Sequence, residues 1–340
     1  MNSLSPKVSV FMPVYNAGSY LNVAIDSILN QTFTDFEFVI VNDGSTDESE
    51  SIILSYNDPR IRLVNNPKNL GLIASLNVGL EICKGEYIVR MDQDDISLPE
   101  RIALQVNFMD QNPNIGLIGS WFEDFGDQIE SKLVRYSTND TEIRIRHLYQ
   151  THISHPTAVL RSSIIRENNI RFDPEYVHGE DYNCWVTISA FCKLSNYPAV
   201  LVRKRDHPRN ITNSFSSTMH STCTKVKQKQ FTAMGSNVSQ SEADLYTRFA
   251  DPDWSFSLDE MNQLLNLLNR LNAANKQSKF IQPDEYARYL AGKWFHLCFH
   301  NKNLGRSGWN WFKKLVFHKH YQPSFSSSTR FRLRNLGLPL

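Results

Sequence analysis

Apolar and polar residues follow one another along the first 120 positions in a pattern that predicts strands separated by helices. Four short apolar runs are typical of buried strands, at residues 8–12, 36–41, 61–64 and 87–91. Between them, apolar residues recur at the spacing of amphipathic helices, at residues 20–29, 48–56, 72–82 and 99–109. We expect Pro13 to end the first strand and Ser19 to cap the first helix. Strands joined by helices of this length indicate βαβ units and a mostly parallel central sheet flanked by helices, an α/β class.

The pattern changes twice further along the chain. From about residue 116 to 220 it is mixed, with strands predicted at 116–122 and 157–161 and a helix at 181–192. Beyond that it is helical, with helices predicted at 258–271, 283–299 and 309–317. Ser257 and Glu260 form a capping box at the start of the first of these. We therefore predict an α/β domain over residues 1–220, divided near residue 120, and a helical region over residues 221–340.

The composition is that of an ordinary globular protein, with 41% hydrophobic and 21% charged residues. Its apolar runs are far too short to span a bilayer, and its first residues show no signal-peptide pattern. The five cysteines are scattered and never spaced as CxxC, which argues against a disulfide framework or a zinc site. We expect a protein of a reducing compartment, the cytoplasm.

Charge is distributed unevenly along the chain. The net charge is +1, yet no acidic residue follows Glu285, while ten Lys and Arg residues do. The first 285 residues therefore carry a net charge of about −9. Such asymmetry indicates a polyanionic partner for the C-terminal region.

Polar residues follow the predicted strands at their carboxyl ends, where open parallel sheets bind ligands. Tyr15 and Asn16 follow the first strand, and Asp43 follows the second. The fourth is followed by Asp92, Asp94 and Asp95, three carboxylates that we call the acidic cluster. The convergence predicts a binding site.

The acidic cluster needs a positive partner, because like charges at this separation repel. Carboxylates are preferred ligands of Mg²⁺ and Mn²⁺, so the partner is predicted to be a metal ion bound together with a nucleotide diphosphate. The alternative is structural: Asp95 caps the following helix, and Asp92 pairs with Arg90.

Four segments resemble a known family. They are VSVFMPVYNAGSYLNVAIDSILNQTF, FEFVIVNDGSTDES, NLGLIASLNVGLEICKGEYIVRMDQDD and HGEDYNCW, in this order. Together they closely resemble the family 2 glycosyltransferases, inverting enzymes of the GT-A fold, over about residues 7–215. The resemblance implies a GT-A catalytic domain over residues 1–220, with a nucleotide-sugar part to about 120 and an acceptor part after it, followed by a helical extension.

The resemblance also implies roles for residues of the donor site. Pro13, Tyr15 and Asn16 would lie under the nucleotide, and Asp43 would accept a hydrogen bond from the uracil imide. Asn69 and Asn77 would lie near the base and ribose. The remaining donor-site residues are Arg90 and Asp92 for the nucleotide sugar, Asp94 as the metal ligand, and Asp92 and Asp95 supporting it.

A general base is expected in the Glu180–Asp181 pair at the start of a helix, with Asp181 as the base and Glu180 raising its pKa. Both could instead complement the helix dipole. His207 would complete the metal site or contact the diphosphate, and His155 would face the acceptor or diphosphate. Either histidine could instead be structural.

The resulting hypothesis is a metal-dependent hexosyl- or N-acetylhexosaminyltransferase. It would transfer a sugar from a UDP-sugar to a saccharide acceptor. The acceptor is expected to be lipid-linked and to belong to the assembly of a surface glycan such as O-antigen, lipopolysaccharide or capsule. The rivals are a nucleotidyltransferase that makes a sugar nucleotide, and a non-catalytic nucleotide-sugar or glycan-binding module. A Gly-rich loop with a basic residue, which the first rival would need, is not found after the first strand.

The basic, aromatic C-terminal helices suit an anionic membrane surface, or they pack on the protein or form a subunit interface. No nucleic-acid-binding signature accompanies the ten cations, so no nucleic-acid partner is expected. The expected location is the cytoplasm, at the inner face of the cell membrane.

Overall fold

The computed structural model describes residues 5–126, 129–208, 210, 216–250 and 255–324, in which the chain forms nine strands and twelve α-helices. The strands are β1 (Val8–Val14), β2 (Phe36–Asn42), β3 (Ile61–Asn65), β4 (Tyr87–Arg90), β5 (Ile96–Ser97), β6 (Ile115–Gly126), β7 (Ile129–Val134), β8 (Val159–Arg161) and β9 (Lys193–Arg205). The helices are α1 (Leu21–Leu29), α2 (Ser49–Leu54), α3 (Leu72–Ile82), α4 (Arg101–Gln111), α5 (Asp140–His147), α6 (Ser162–Glu167), α7 (Glu180–Ile188), α8 (Ser216–Ala233), α9 (Gln240–Ala250), α10 (Leu258–Ser278), α11 (Pro283–His300) and α12 (Gly308–Lys314).

The strands form one sheet in the order β3-β2-β1-β4-β8-β6-β9-β5, with β7 paired to the outer part of β6. β1 pairs in parallel with β2 and β4, and β2 pairs in parallel with β3. These four strands are the parallel half that the βαβ pattern predicts. In the other half β6 and β9 are parallel, and the remaining pairs are antiparallel.

Strands β1, β2 and β4 are buried on both faces, which explains why they are nearly continuous apolar runs, whereas β3 at the edge has no fully buried residue. Every residue of β1 is buried. Val10 packs in a core cluster with residues of α1 and α4, whereas its neighbour Phe11 packs in a second cluster with residues of α3 and α7. Successive side chains of a strand point to opposite faces, so the sheet lies between two helical layers.

Three strands escaped the sequence pattern: β5, β7 and β9. β9 is the longest strand in the described chain, yet it carries four basic residues and Pro198. The proline lies where the register with β6 shifts, between the pairs Ser120–Tyr197 and Trp121–Val200. A proline is tolerated at such a bulge because no ladder hydrogen bond is required of it there.

Two local predictions in the first βα unit were wrong. β1 continues through Pro13, which is paired with Val41, and ends at Val14. Ser19 lies inside a 3-10 turn, Gly18–Tyr20, and α1 begins after Tyr20 without a side-chain cap. The N–H groups ahead of this helix are instead bound by the loop after β2, as described below.

The described chain divides into two compact units. One contains the residues up to Ile143 together with Thr151–Cys223, and the other contains Arg144–Gln150 and the residues from Thr224 onward. The second unit is helical and has its own apolar core, built from α9, α10, α11 and α12 among others. The predicted Ser257–Glu260 capping box is confirmed at the start of α10. The division of the first unit near residue 120 stays a prediction.

None of the helices in the described part of the chain combines the length and the apolar character that crossing a membrane requires.

Candidate active site

The carboxyl ends of three neighbouring parallel strands bring polar residues together. Tyr15 and Asn16 follow β1, Asp43 follows β2, and the acidic cluster follows β4. Since β1 is paired with both β2 and β4, these three ends lie side by side at one edge of the sheet. This is the position at which open α/β sheets bind ligands.

Asp43 is buried, and its carboxylate organises the loop that follows β3. Its Oδ1 accepts hydrogen bonds from Asn66 Nδ2 (2.7 Å) and Leu70 N–H (2.9 Å), and its Oδ2 accepts one from Gly71 N–H (2.9 Å). The Asx turn here is formed by Asn42, whose Oδ1 accepts from Ser45 N–H at 3.1 Å. A carboxylate oxygen accepts up to two hydrogen bonds, so Oδ2 has capacity for one more donor.

Gly44 permits the close approach of the two loops around Asp43. Its φ of +66° is in the left-handed region, and a Cβ there would lie 2.6 Å from the carbonyl carbon of Lys68. Any other residue would therefore push the loops apart.

The turn after β1 is held by the loop after β2. Three successive N–H groups donate to it: Asn16 to Ser45 Oγ (3.1 Å), Ala17 to Ser49 Oγ (3.0 Å) and Gly18 to Asp47 Oδ2 (3.0 Å). Asn16 has a φ of 46°, and its Oδ1 accepts from Thr46 N–H at 2.9 Å. These bonds fix the turn in which Tyr15 is 43% exposed.

Arg90 is buried and bridges Asp92 and His155. Its Nη2 donates to Asp92 Oδ1 at 2.5 Å, its Nε donates to His155 Nε2 at 3.1 Å, and its Nη1 donates to the carbonyl of Met91. Burial would raise the pKa of Asp92, but the charge of Arg90 and its hydrogen bond outweigh burial and lower that pKa. The pairing that the sequence offered as a structural alternative is therefore present.

His155 is held neutral by its surroundings. Burial, and then the charge of Arg90, lower its pKa to about 3. Because a guanidinium only donates hydrogen bonds, His155 Nε2 is the acceptor and its proton lies on Nδ1. This tautomer makes His155 Nδ1 a hydrogen-bond donor.

The rest of the acidic cluster is bound by the end of β9. Asp94 Oδ2 lies 2.9 Å from His207 Nε2, and Asp95 Oδ1 accepts from Arg205 N–H at 2.7 Å. Burial and the neighbouring carboxylates raise the pKa values of Asp94 and Asp95. Asp95 is 2% exposed, so its contact is a structural tie between β9 and the cluster.

Rings and a guanidinium stack beside His207. The Tyr20 and His207 rings are stacked with their centroids 4.9 Å apart, and the Arg205 guanidinium lies 4.7 Å from the Tyr20 ring centroid. Arg205 also lies 4.6 Å from the centroid of Phe125. The stack holds the end of β9 against the first helical turn, which keeps His207 beside Asp94.

The predicted metal ligands fit a site in which the protein supplies only part of the coordination. Among the described residues, no group of three or more His, Cys, Asp or Glu side chains is placed to hold a metal ion. Mg²⁺ is commonly held by one or two carboxylates, with phosphate oxygens and waters completing the octahedron. Asp94 and His207 would supply such a partial set, while Asp92 is engaged with Arg90.

The start of α7 belongs to the same site. Burial raises the pKa of Asp181 to about 6, with a further contribution from the charge of Asp92, so these carboxylates are electrostatically coupled. Burial, and then the charge of Asp181, raise the pKa of Glu180 to about 7. Asp181 Oδ1 accepts a bond from Tyr182 N–H at 2.7 Å, which orients its carboxylate within the first helical turn.

The remaining predicted donor-site residues have structural contacts. Pro13 is buried inside β1. Asn69 Oδ1 accepts from Gly71 N–H at 3.0 Å. Asn77 forms a reciprocal pair with Phe172, donating to its carbonyl at 2.8 Å and accepting from its N–H at 2.9 Å. Their roles in donor binding stay predictions.

Sequence reasoning missed three residues that support the site. Gln93, inside the acidic cluster, binds the backbone of Tyr15. Asn66 binds Asp43, and the fully buried Arg101 donates to the carbonyl of Arg90 at 2.7 Å. Only Arg101 left a signal: a charged residue on the apolar face of a predicted helix, next to Ile102.

Comparison with known proteins agrees with this arrangement. The sequence model described as "Glycosyl transferase family 2" matches residues 9–168. The chain is 34% identical over 239 residues to an uncharacterized glycosyltransferase of Haemophilus influenzae, covering 67% of this chain and 74% of the relative. The chain belongs to glycosyltransferase family 2. The predicted family is confirmed, and with it the glycosyltransferase class of the enzyme.

Solved structures show the fold of this family 2 glycosyltransferase. It is similar to S. aureus TarS 1-349 in complex with UDP-GlcNAc, with a TM-score of 0.57 and 20% identity, over 84% of this chain and 88% of that chain. It is also similar to the mannosyltransferase PcManGT from Pyrobaculum calidifontis in complex with GDP-Man and Mn²⁺, with a TM-score of 0.53 and 15% identity, over 97% and 88% of the two chains. The predicted GT-A fold with a helical C-terminal extension is confirmed.

Proposed function

We propose that this glycosyltransferase is an inverting, metal-dependent enzyme that transfers a sugar from a UDP-sugar to a saccharide acceptor. The observation that carries the proposal is the coupling of the acidic cluster after β4 to the Glu180–Asp181 pair of α7. One carboxylate group lies where a diphosphate and its ion would bind, and the other has a pKa suited to a general base.

A nucleotide-sugar donor is supported by the neighbours, one of which binds UDP-GlcNAc and another GDP-Man with Mn²⁺. We favour uridine because Asp43 offers a carboxylate oxygen, with capacity for one more bond, at the end of β2. The N3–H group of uracil is a donor that such an oxygen would accept. Tyr15, exposed beside it, would lie against the base.

A divalent ion held by Asp94 and His207 would stabilise the charge that develops on the departing UDP diphosphate. In the same site, the Nδ1–H group of His155 would donate a hydrogen bond to an oxygen of the diphosphate or of the acceptor. Arg90 fixes the imidazole for this task through its bond to Nε2.

Asp181 is the proposed base. Its carboxylate would take the proton of the acceptor hydroxyl as that oxygen forms a bond to the anomeric carbon. The bond from the same carbon to the UDP oxygen would break on the opposite face, so that a single displacement inverts the anomeric configuration. The raised pKa of Asp181, about 6, makes it a stronger base than an ordinary aspartate.

We further propose a lipid-linked acceptor in surface-glycan assembly, with the second unit meeting an anionic membrane. Residues 302–324 contain no acidic residue, and five Lys and Arg side chains there are exposed: Lys302, Arg306, Lys313, Lys314 and Lys319. Val316 among them is 80% exposed, and Lys314 Nζ lies 3.7 Å from the Trp311 ring centroid. Cations around an exposed apolar side chain suit lipid headgroups.

Sedimentation with vesicles checks the membrane proposal. We expect binding to vesicles rich in phosphatidylglycerol, little binding to phosphatidylcholine, and a marked loss in a variant with Lys313→Glu and Lys314→Glu. The matched control is Lys276→Glu on α10, outside this segment. Equal binding of both variants would contradict the proposal.

A donor screen tests the enzymatic proposal. Purified protein with Mn²⁺ would be given UDP-, GDP- and dTDP-sugars, and nucleotide release would be read with and without EDTA. We expect slow, EDTA-sensitive hydrolysis of one UDP-sugar. In parallel, UDP binding would be measured by calorimetry with and without Mn²⁺. If no metal-dependent binding were found, the assignments of Asp94 as metal ligand and of a UDP-sugar as donor would be overturned.

The rivals are separated when the screen is extended with sugar phosphates, nucleoside triphosphates and saccharide acceptors. A nucleotidyltransferase would form a sugar nucleotide and pyrophosphate from a sugar phosphate and a nucleoside triphosphate. A binding module would bind donor without turnover in the presence of any acceptor.

A further inference from the structure

We propose that Gln93 is a positioning residue that fixes Tyr15 for the nucleotide and links it to the acidic cluster. The inference rests on the proposed nucleotide-sugar donor. Gln93 is the middle residue of the Asp92-Gln93-Asp94 run, and its side chain, unlike its neighbours, carries no charge for an ion.

The side-chain amide of Gln93 pairs with the backbone of Tyr15 as a residue of a neighbouring strand would. Its Oε1 accepts a hydrogen bond from Tyr15 N–H at 2.7 Å, and its Nε2 donates to the Tyr15 carbonyl at 3.1 Å. Two residues that exchange both N–H···O bonds are the closely paired unit of an antiparallel ladder. One side-chain amide thus satisfies both backbone groups of a single residue.

The bridge lies where the sheet itself ends. The last paired residues of β1 and β4 are Phe11 and Arg90. One more hydrogen bond follows, from Met91 N–H to the carbonyl of Phe11 at 3.0 Å. β1 then runs on to Val14 while the chain after β4 turns away into the acidic cluster. Gln93 spans the gap with its side chain and rejoins the two segments.

Tyr15 needs such a support because much of its side chain is exposed and is not held by packing. The ring is 43% exposed, while the next three N–H groups are bound by the loop after β2. With Gln93, both backbone groups of Tyr15 are fixed as well. The backbone position from which the Tyr15 side chain extends is therefore held by the residue that lies between Asp92 and Asp94.

If Gln93 had a purely structural role, replacing it would lower the melting temperature without changing UDP affinity. Gln31 offers a control for that case. Gln31 makes a comparable set of backbone contacts that do not involve Tyr15 or the acidic cluster: it donates to Ser27 O (2.9 Å) and Leu98 O (2.8 Å) and accepts from Ile102 N–H (3.1 Å). Gln31→Met removes these bonds and should lower the melting temperature without changing UDP affinity.

The test is a double-mutant cycle between Gln93 and Tyr15, read as the UDP dissociation constant in Mn²⁺ by calorimetry. We expect Gln93→Met to weaken UDP binding about tenfold, an effect in the range of coupling between neighbouring groups. In a Tyr15→Ala background the same change should have little further effect. In turnover, KM for the donor should rise while kcat stays, as for an interaction equal in ground and transition states.

Gln93→Glu provides a second variant, because it keeps the acceptor for Tyr15 N–H and loses the bond to the Tyr15 carbonyl. The cycle is measured with it too, so a misfolded Gln93→Met protein does not decide the result. Additive effects of Gln93 and Tyr15 changes, or a Gln93 effect confined to the melting temperature as in Gln31→Met, would overturn the inference. A wild-type protein that binds no UDP would instead overturn the proposed donor, and the role of Gln93 with it.

Discussion

The two ends of the central sheet carry charges in opposite ways. At the amino ends of β1 and β4, each charged group lies against an opposite charge. Lys7 Nζ lies 2.8 Å from Glu86 and 3.0 Å from Asp110, and Tyr87 Oη donates to Asp110 at 2.6 Å while it accepts from Arg161 at 3.1 Å. We call this set the amino-end network. Burial works against it, yet the bonds from Tyr87 and Lys7 lower the pKa of Asp110.

At the carboxyl ends, by contrast, carboxylates lie close to one another, as in the acidic cluster. The pKa values of Asp94, Asp95, Glu180 and Asp181 are all raised, in each case first by burial. Ionised at neutral pH, these groups destabilise the folded protein. A protein keeps such groups together where a ligand or a reaction uses them, so the difference between the two ends marks the site.

The largest effect should follow from Asp181→Asn. Without a base, kcat should fall by about 10²–10⁴-fold, while UDP affinity stays. Because the pKa of Asp181 is raised on folding, its ionised form costs stability at pH 7, so the variant should also melt higher. Transfer assays and thermal melts measure both.

Asp110→Asn in the amino-end network is the control with the opposite signs. It should lower the melting temperature and leave transfer unchanged, because the pKa of Asp110 is lowered on folding. Normal turnover by Asp181→Asn would show that the base has been assigned wrongly.

Asp94→Ala should reduce UDP affinity in Mn²⁺ to its value in EDTA, since the ion loses its carboxylate ligand. Calorimetry with and without the metal gives the ratio of the two affinities. Asp58→Ala, an ion-pair carboxylate on the loop before β3, is the matched change and should preserve that ratio. A full metal effect in Asp94→Ala would transfer the ligand role to another residue.

The pH profile of transfer should have its acid limb at about pH 6–7, where Asp181 and Glu180 titrate. The base is active when deprotonated, so kcat/KM should fall about tenfold per pH unit below the limb and be constant above it. In Glu180→Gln the limb should lie near pH 6, where Asp181 alone titrates. A limb near pH 4, the range of an ordinary aspartate, would contradict the burial of the pair.

The smallest effect should come from Tyr87→Phe. It removes the hydroxyl that joins Asp110 to Arg161, and stability should fall by about 1 kcal/mol with transfer unchanged. Urea unfolding gives the free-energy difference, and Tyr56→Phe, another tyrosine with a carboxylate partner, Asp26, offers a comparison away from the sheet end. Loss of transfer in Tyr87→Phe would mean that the two ends of the sheet are coupled.

The sequence predicted the parallel half of the fold well, because a strand buried on both faces is a run of apolar residues. The helix at 72–82 was predicted with the bounds of α3. β9 was missed because basic residues stand at both of its ends and its middle contains Pro198, features that in a single sequence indicate a loop. Ser19 was misjudged because the chain enters α1 through a 3-10 turn, Gly18–Tyr20, so that Tyr20 and not Ser19 precedes the helix.

The position of the site was predictable from the sequence, but the hydrogen-bond partners of its residues were not. Strand ends converge by the geometry of parallel sheets, so Tyr15, Asp43 and the acidic cluster could be placed together. The partners come from remote segments: Arg90 binds His155 across 65 positions, and Asp94 meets His207 across 113. No periodicity or local motif carries that information, since these contacts depend on how the second half of the sheet folds back.

The connection between β4 and β5 has a consequence for how this enzyme can vary. Only residues 91–95 separate the two strands, yet these strands lie four steps apart in the order of the sheet. In a flat sheet four steps would cover about 19 Å, close to the roughly 20 Å limit of a fully extended chain of this length. The chain turns here instead, so the sheet must curl to bring β5 back.

The length of that connection is set by its contacts, because Asp92, Gln93, Asp94 and Asp95 are each bound to a different fixed partner. Removing a single residue would displace Asp94 or pull β5 from β9, whereas side-chain replacement leaves the path intact. Among descendants of this gene, we expect variation in the acidic segment to proceed by substitution at constant length, while insertions and deletions accumulate elsewhere.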